Sequence, residues 1–323
     1  MMKRTVEQCY ERLGHAGNGS VYLARNRETR EPVAVKQFVK RTRGGHMEQL
    51  ARREERILRA CQGSEHVVRL LELLDSSTVS ANGEGVVCLV LEQAQHDLRG
   101  LIENKDISSR WTRSHVKGYC WQLLSAVAWV HHCGFIHRDL KPANVLVGRD
   151  NVLKLADFGL AVPVRGDEAE RPGHFQNPVA TCWYRAPEVL LGARDYGTPI
   201  DVWAAGCIVG DLLQNAVFFP GISDEDQLRC IYALCGGGAT NVVRDFQRAL
   251  VRDNQLVARK RFFTPMSVAL LDALLVLDPA ARLGAAEALS HGYFDAAQDG
   301  GIEVMAARDM IRYNDKTNFA RAK

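Results

Sequence analysis

The chain has 323 residues, of which 46% are hydrophobic, and its 41 basic and 38 acidic side chains leave a net charge of +3. That length carries one large domain or two smaller ones, each with a real core. The near balance of charge excludes a nucleic-acid-binding excess and reads as a mixed, solvated surface. Nine cysteines, at 9, 61, 88, 120, 133, 182, 207, 230 and 235, form no CxxC pair, and several sit in apolar runs such as VVCLVLE and WAAGCIV. They read as buried thiols of a reducing, intracellular compartment, not as disulfides or zinc ligands. The start, MMKRTVEQCYERLG, has no apolar stretch of signal-peptide type. No apolar run reaches the roughly 18 residues needed to span a membrane.

The first ninety or so positions are strand-rich. SVYLAR (20–25), PVAVKQF (32–38), VVRLLELL (67–74) and VVCLVLE (86–92) are short β-type runs bounded by turn residues. A helix over 47–61 interrupts them, with Met47, Leu50, Ile57, Leu58 and Cys61 near one face. SSTVSANGEG (76–85) reads as an exposed hairpin connection. Beyond residue 97 the pattern becomes helical. Helix 114–133 has Ser114 as its expected N-cap, 198–214 opens on Thr-Pro, and 264–279 opens the same way and stops at a proline. Helix 198–214 is apolar nearly all round, which places it at the centre of a helical domain. The pattern predicts an α+β, bilobal fold: a small β-rich lobe, a hinge near 93–95 and a larger helical lobe, with a ligand crevice between them.

GHAGNGSV (14–21) has small residues at 14, 16, 17 and 19, so backbone amides there can approach a phosphate chain. A strand follows, which fits a hairpin lid over phosphates better than the loop-to-helix turn of a dinucleotide fold. VAVK ends on Lys36, which can reach phosphates if a carboxylate orients it; Glu54 and Glu55 on the following helix compete for that role. HRDLKPAN (137–144) is followed by DFG (157–159), Asp157 lying 13 residues beyond Asn144, and then by APE (186–188). Asp139 can accept the proton of a substrate hydroxyl, and Lys141 can neutralise charge on a phosphoryl group in transfer. Asn144 and Asp157 offer the hard oxygens that magnesium prefers. Phosphoryl transfer asks a protein mainly for positioning and charge neutralisation, and these groups supply both.

With those motifs in this order, the chain resembles eukaryotic protein kinases over about 8–294. The small lobe then falls at about 8–93, the large lobe at about 97–294 and a tail at 295–323. The lysine in HRDLKPAN is typical of serine/threonine kinases. TCWYRAPE (181–188), DVWAAGC (201–207), VATCWYRAPEVLLGARDY and FFPG (218–221) are similar to the cyclin-dependent branch, with a narrower likeness to the cell-cycle-related kinases of cilia. The resemblance implies ATP and magnesium as cofactors, and it selects Glu54 as the partner of Lys36 by spacing. It places Leu13, Gly14, Ala16 and Gly19 in the phosphate loop, Val21 and Ala34 above the adenine, and Leu146 below it. It makes Leu91 the gatekeeper, puts the backbone of Glu92 and Ala94 at the adenine edge, and gives Asp97 to the ribose. Asp201 would brace the catalytic loop, Thr181 would bridge Asp139 and Lys141, and Arg282 would pair with Glu188. An arginine at the place of Arg185 shapes a pocket for proline after the phosphoacceptor. Protein substrates with Ser/Thr-Pro sites follow, as does a cyclin or cyclin-like activator at helix 47–61, in the cytoplasm, nucleus or cilium.

Four departures stand out. The threonine phosphorylated in relatives falls here at Gln176, and of its three clamping arginines only Arg53 and Arg138 remain, the third place being Val162. Activation without activation-segment phosphate is therefore expected. Gln176 itself, or one of Asp167, Glu168 and Glu170, is the candidate substitute. Gly17 and Asn18 stand where an inhibitory Thr-Tyr pair sits in some relatives. Ala16 replaces a loop glycine, and 236–250 lacks the GTP…WP pattern. Two rival readings remain: a MAP-kinase-like enzyme, against which the missing TxY motif counts, and a pseudokinase scaffold, against which the complete set Lys36, Glu54, Asp139, Asn144 and Asp157 counts.

Overall fold

A computed structural model describes residues 5–16, 20–40, 45–76, 85–165, 182–235 and 262–295. Strands β1 (Tyr10–Ala16), β2 (Val21–Asn26), β3 (Pro32–Lys40), β4 (Leu70–Ser76) and β5 (Gly85–Glu92) form one antiparallel sheet in the order β1-β2-β3-β5-β4. The two-residue period of a strand divides its side chains between two faces. Tyr22, Ala24, Val33, Val35, Cys88 and Val90 pack on one face with Val6 of a short helix, α1 (Val6–Cys9). The opposite face carries Ala34 and Leu91, cross-strand partners that join the main core of the molecule. Helix α2 (His46–Ala60) lies close to that sheet, burying Ala51, Glu54, Ile57 and Leu58 at helical spacing.

The large lobe is built from α3 (Leu98–Glu103), α4 (Lys105–Ser108), α5 (Arg113–His132), α6 (Pro187–Leu190), α7 (Pro199–Gln214), α8 (Asp224–Cys235), α9 (Pro265–Leu274) and α10 (Ala285–Ala288). Helix α7 is buried from Ile200 through Leu213, as its all-round apolar sequence predicts. Small strands carry the site between the lobes. β6 (His96–Asp97), β8 (Val145–Val147) and β9 (Leu153–Leu155) form a three-stranded sheet, and β7 (Phe135–Ile136) pairs with β10 (Val162–Pro163). The lobes are also tied by backbone: Val68 N–H donates to Leu155 O at 3.0 Å, Leu155 N–H to His66 O at 2.8 Å, and Gln95 N–H to Val147 O at 3.0 Å.

The cap of α5 corrects the sequence expectation. Thr112, not Ser114, caps the helix: its Oγ1 accepts from His115 N–H at 3.2 Å, and Thr112 N–H donates to His115 Nδ1 at 3.1 Å. The last of the expected helices stops at Leu274 rather than 279: the Ala273 carbonyl, which a continuing helix would give to residue 277, accepts instead from Leu283 N–H at 3.1 Å. All nine cysteines are free thiols, and Cys61, Cys88, Cys120, Cys182 and Cys207 are buried. No helix among the described residues is long and apolar enough to cross a membrane.

Asp211, buried on α7, accepts from the Tyr184 hydroxyl and from Phe218 N–H, both at 2.7 Å. Burial nevertheless pushes its carboxyl up to about 7. An unfolded aspartate titrates near ~3.9, so the stability that protonated Asp211 contributes is complete below that value and is lost as pH rises towards 7. Asp211→Asn should lessen this loss, read from urea unfolding at about pH 4.5 and about pH 7.5. An unchanged difference between the two would assign the titration to another group.

Candidate active site

Lys36 lies within β3, opposite Val21 on β2 and Leu89 on β5. Its Nζ is 2.8 Å from both carboxylate oxygens of Glu54 and 2.7 Å from Asp157 Oδ1. The Glu54 side chain is only 1% exposed and that of Lys36 15%, whereas Asp157 is 47% exposed, so the cluster is sealed on one side and open on the other. Glu55 is settled as the wrong candidate: it pairs with Arg52 and Arg59 along its own helix. Burial opposes the charge on Lys36, but Glu54 and Asp157 outweigh it and hold the ammonium above the ordinary lysine value. Burial raises Glu54, with Lys36 pulling the other way. Asp157 is also opposed by burial, yet Lys36 holds it below the usual carboxylate range. Asp157 has φ 62°, in the left-handed region. A side chain added at Gly159 would come to 3.3 Å from Asp157 Oδ1 and 3.4 Å from Glu54 Oε2, so glycine keeps the cluster uncrowded.

The catalytic-loop residues follow β7. Lys141 Nζ donates to Asp139 Oδ2 at 2.7 Å, and Asn144 Nδ2 donates to the same oxygen at 2.9 Å and to Asp139 O at 2.7 Å. Both side-chain donors converge on Oδ2, so Oδ1 receives neither of them. Asn144 spends its amide N–H groups on Asp139, so its amide oxygen is the end left for a cation. Asn144 and Asp157 are brought near each other by the backbone: Ala156 N–H donates to Asn144 O at 2.9 Å. Two hard oxygens suit magnesium, with phosphate oxygens and water completing its shell. Among the described residues no cluster of three or more His, Cys, Asp or Glu could hold a metal by itself.

Beneath the loop sits Asp201, near the start of α7 and 1% exposed. Its Oδ2 accepts from His137 N–H at 2.7 Å and lies 2.9 Å from His131 Nε2, while Oδ1 accepts from Arg138 N–H at 2.8 Å. Burial opposes this carboxylate's charge, but the contacts with His131 and His137 outweigh it and hold the group below the usual range. Arg138 has φ 70° and Asp139 N–H donates to His137 Nδ1 at 3.3 Å, so the His137 Nε2 that faces Ala156 O at 3.0 Å carries the proton. His137 also meets Phe158 edge-on, with ring centroids 4.9 Å apart. His131 and this histidine tie were not foreseen from sequence; the HH pair preceding CGFIHRD was the available signal.

The residues expected at the nucleotide lie in several different settings. Val21 faces Lys36 across β2–β3, while Ala34, Leu91 and Leu146 belong to the one apolar cluster that spans both lobes. Leu91 and Ala94 are buried. Leu13 is exposed at a bulge in β1, where the register shifts between Arg12 and Gly14. Ala16 pairs with Val21 through its backbone. Glu92 side-chain oxygen accepts from Arg69 N–H at 2.7 Å and meets Lys154 at 3.2 Å. Asp97 caps α3, its Oδ1 accepting from Gly100 N–H at 2.8 Å, and burial raises its carboxyl. Gly19, Thr181, Gln176, Asp167, Glu168, Glu170, Gly17, Asn18, the segment 236–250 and the tail beyond 295 lie outside the described residues.

Further out, Arg282 makes a two-pronged pair with Glu188, at 2.9 and 3.1 Å, and donates to Pro199 O at 2.7 Å. Arg185 pairs with Asp224 at 3.1 Å. Arg53 donates to Ala161 O, Arg138 donates to the Tyr196 hydroxyl at 3.1 Å, and Val162 is buried in β10 opposite Ile136.

A lysine held between two carboxylates and an aspartate served by a lysine and an asparagine are the arrangement of an ATP-dependent phosphotransferase site. The protein kinase domain model matches residues 8–294, and the chain belongs to the protein kinase family. Within it the chain is a cyclin-dependent-kinase-like serine/threonine kinase. It is 36% identical to human cyclin-dependent kinase 9 over 311 residues, 88% of this chain and 80% of that protein. Cyclin-dependent kinase 9-A of Xenopus laevis is 35% identical over 315 residues, and cyclin-dependent kinase 9 of Danio rerio 34% over 314, each at the same coverage.

The Arg282 side chain is fully shielded from solvent. Arg282→Ala strands the mostly buried Glu188 carboxylate and should cost about 3–5 kcal/mol in urea unfolding. A loss under about 1 kcal/mol would mean that water replaces the guanidinium.

Proposed function

We propose that this kinase transfers the γ-phosphoryl group of ATP to serine or threonine followed by proline, using the residues assembled above and no phosphate on its activation segment. The observation that supports the chemistry best is the pair of polar clusters sharing one cleft, Lys36–Glu54–Asp157 and Asp139–Lys141–Asn144. When bound, ATP supplies the phosphoryl group and magnesium neutralises its charge. Lys36, oriented by Glu54, engages the phosphate chain; Asn144 and Asp157 present oxygens to the metal; Asp139 takes the hydroxyl proton; Lys141 offsets charge on the transferred group. Asp157 pairs with Lys36 at 2.7 Å, so a bound metal ion would share this carboxylate with the lysine. The hinge backbone at Glu92 and Ala94, with Val21, Ala34, Leu91 and Leu146, frames the adenine, and Asp97 retains a second carboxylate oxygen for the ribose. Gly14, Ala16 and Gly19, with Leu13, cover the phosphates, and Thr181 spans Asp139 and Lys141.

Proline preference is supported by the position of Arg185 just before APE and by its tie to Asp224 at 3.1 Å, which restrains the side chain that would shape a pocket for the residue after the phosphoacceptor. Independence from phosphate is supported by the pairing of a missing phosphoacceptor, Gln176, with a missing clamp, Val162, which here is an apolar strand residue. The relatives are cyclin-dependent by name. Met47 at the start of α2 and Leu160 beyond DFG are large apolar residues left exposed, as a cyclin-like partner would require. Free buried thiols support an intracellular setting; the relatives give no support to a cilium. We assign the catalytic domain to 8–294.

The test is turnover by the full-length chain on matched Ser-Pro and Ser-Ala peptides with ATP and magnesium. Transfer should favour Ser-Pro by at least about tenfold and fall by more than about 1,000-fold in Asp139→Asn. Equal rates on the two peptides would remove the proline assignment. Stoichiometric phosphate at Thr181 in active enzyme would remove phosphate independence.

A further inference from the structure

Arg138 is gripped at both ends by one short stretch of chain. Its backbone N–H donates to Asp201 Oδ1 at 2.8 Å, and its guanidinium donates to the Tyr196 hydroxyl at 3.1 Å, with the guanidinium carbon 5.9 Å from the centre of that ring. Tyr196 and Asp201 are five positions apart, in the turn that enters α7 and in its first turn. Arg138 is only 9% exposed and its φ of 70° lies in a region that costs a non-glycine residue of order 1–2 kcal/mol. Such a conformation persists only where its surroundings over-determine it. Asp139, the proton acceptor, is the next residue. Whatever fixes Arg138 therefore fixes the direction of the Asp139 carboxylate.

We infer that Tyr196 is a positioning residue for phosphoryl transfer, its hydroxyl holding the Arg138 side chain where relatives use an activation-segment phosphate. This rests on the phosphate-independent reading above and supplies a holder that lies within the folded large lobe. The hydroxyl is a neutral acceptor, weaker than a phosphate, and it lies only three residues before α7 begins. The partly buried guanidinium makes the bond charge-assisted, and the aromatic ring adds a face contact. Asp201 grips the backbone of Arg138 and Tyr196 its side chain, so the two contacts act on different parts of the residue.

The test is Tyr196→Phe, which keeps the ring and removes only the hydroxyl, in the full-length chain. Phosphatase-treated wild type and variant are compared for kcat, KM for ATP and melting temperature, alone and in an Arg138→Met background. The expected result is a fall in kcat of about tenfold, the worth of one hydrogen bond to a charged group, with KM for ATP and the melting temperature nearly unchanged. The fall should disappear in the Arg138→Met background. A second readout does not need turnover. The guanidinium resonances of Arg138, assigned by their loss in Arg138→Met, should report hindered rotation in wild type and free averaging in Tyr196→Phe. An unchanged kcat, an equal fall in both backgrounds, or identical guanidinium dynamics would overturn the role. Loss of wild-type activity on phosphatase treatment would instead sink the phosphate-independent reading, and the guanidinium comparison would still decide whether Tyr196 holds Arg138.

Discussion

The carboxylate of Asp201 is the point from which the active site is built. It is buried among apolar side chains of α7, where an unpaired charge would be costly, and it is satisfied by three donors or partners: His137 N–H, Arg138 N–H and His131. Each partner belongs to a different structural task. His131 closes α5, His137 reaches across to Ala156 and Phe158, and Arg138 precedes Asp139, the proposed proton acceptor. One charge thus joins the most buried helix of the large lobe to the catalytic loop and, through Phe158, to the base of the small-lobe helix α2. The geometry is bidentate and each oxygen has its own amide, so the loop has one orientation rather than several.

Above that base the small lobe contributes electrostatics that are set before any ligand arrives. Lys36 is stabilised in its charged form by two carboxylates, one sealed from water and one open to the cleft. The sealed partner, Glu54, holds α2 against β3; the open partner, Asp157, is the one a metal ion would share. Asymmetry of burial therefore divides the two roles. In the catalytic loop, Lys141 and Asn144 both serve one oxygen of Asp139.

Much of this was legible in the sequence, and the misses have local physical causes. HRDLKPAN, DFG and APE named Asp139, Lys141, Asn144 and Asp157 because their chemistry is tied to fixed spacing. Glu54 and Glu55 could not be separated by residue type alone; the helix did so by turning Glu54 to its buried face and leaving Glu55 to Arg52 and Arg59. The run VVRLLELL was expected to be one strand, yet Val67 and Val68 pair with Leu155 and only the later part joins the sheet, because pairing partners some 90 positions away leave no trace in local periodicity. The Thr112 cap was missed because its N3 partner is a histidine rather than a glutamate or glutamine. The short strands around 135–163 were too brief for any periodic signal. Tyr196 gave no sign at all: its role is a contact across 58 positions.

Asp201 at the backbone and Tyr196 at the side chain both contact Arg138, and on our proposal such contacts set the catalytic loop before nucleotide binds and without added phosphate. The most direct measurement is amide hydrogen exchange over residues 135–144 in the phosphatase-treated full-length chain, with and without a non-hydrolysable ATP analogue. A loop already set should show strong protection of the His137 and Arg138 amides in both states, close to that of the core of α7. Protection that appears only with the nucleotide, or only in a phosphorylated form, would contradict this account and mean that the loop is assembled by its ligands.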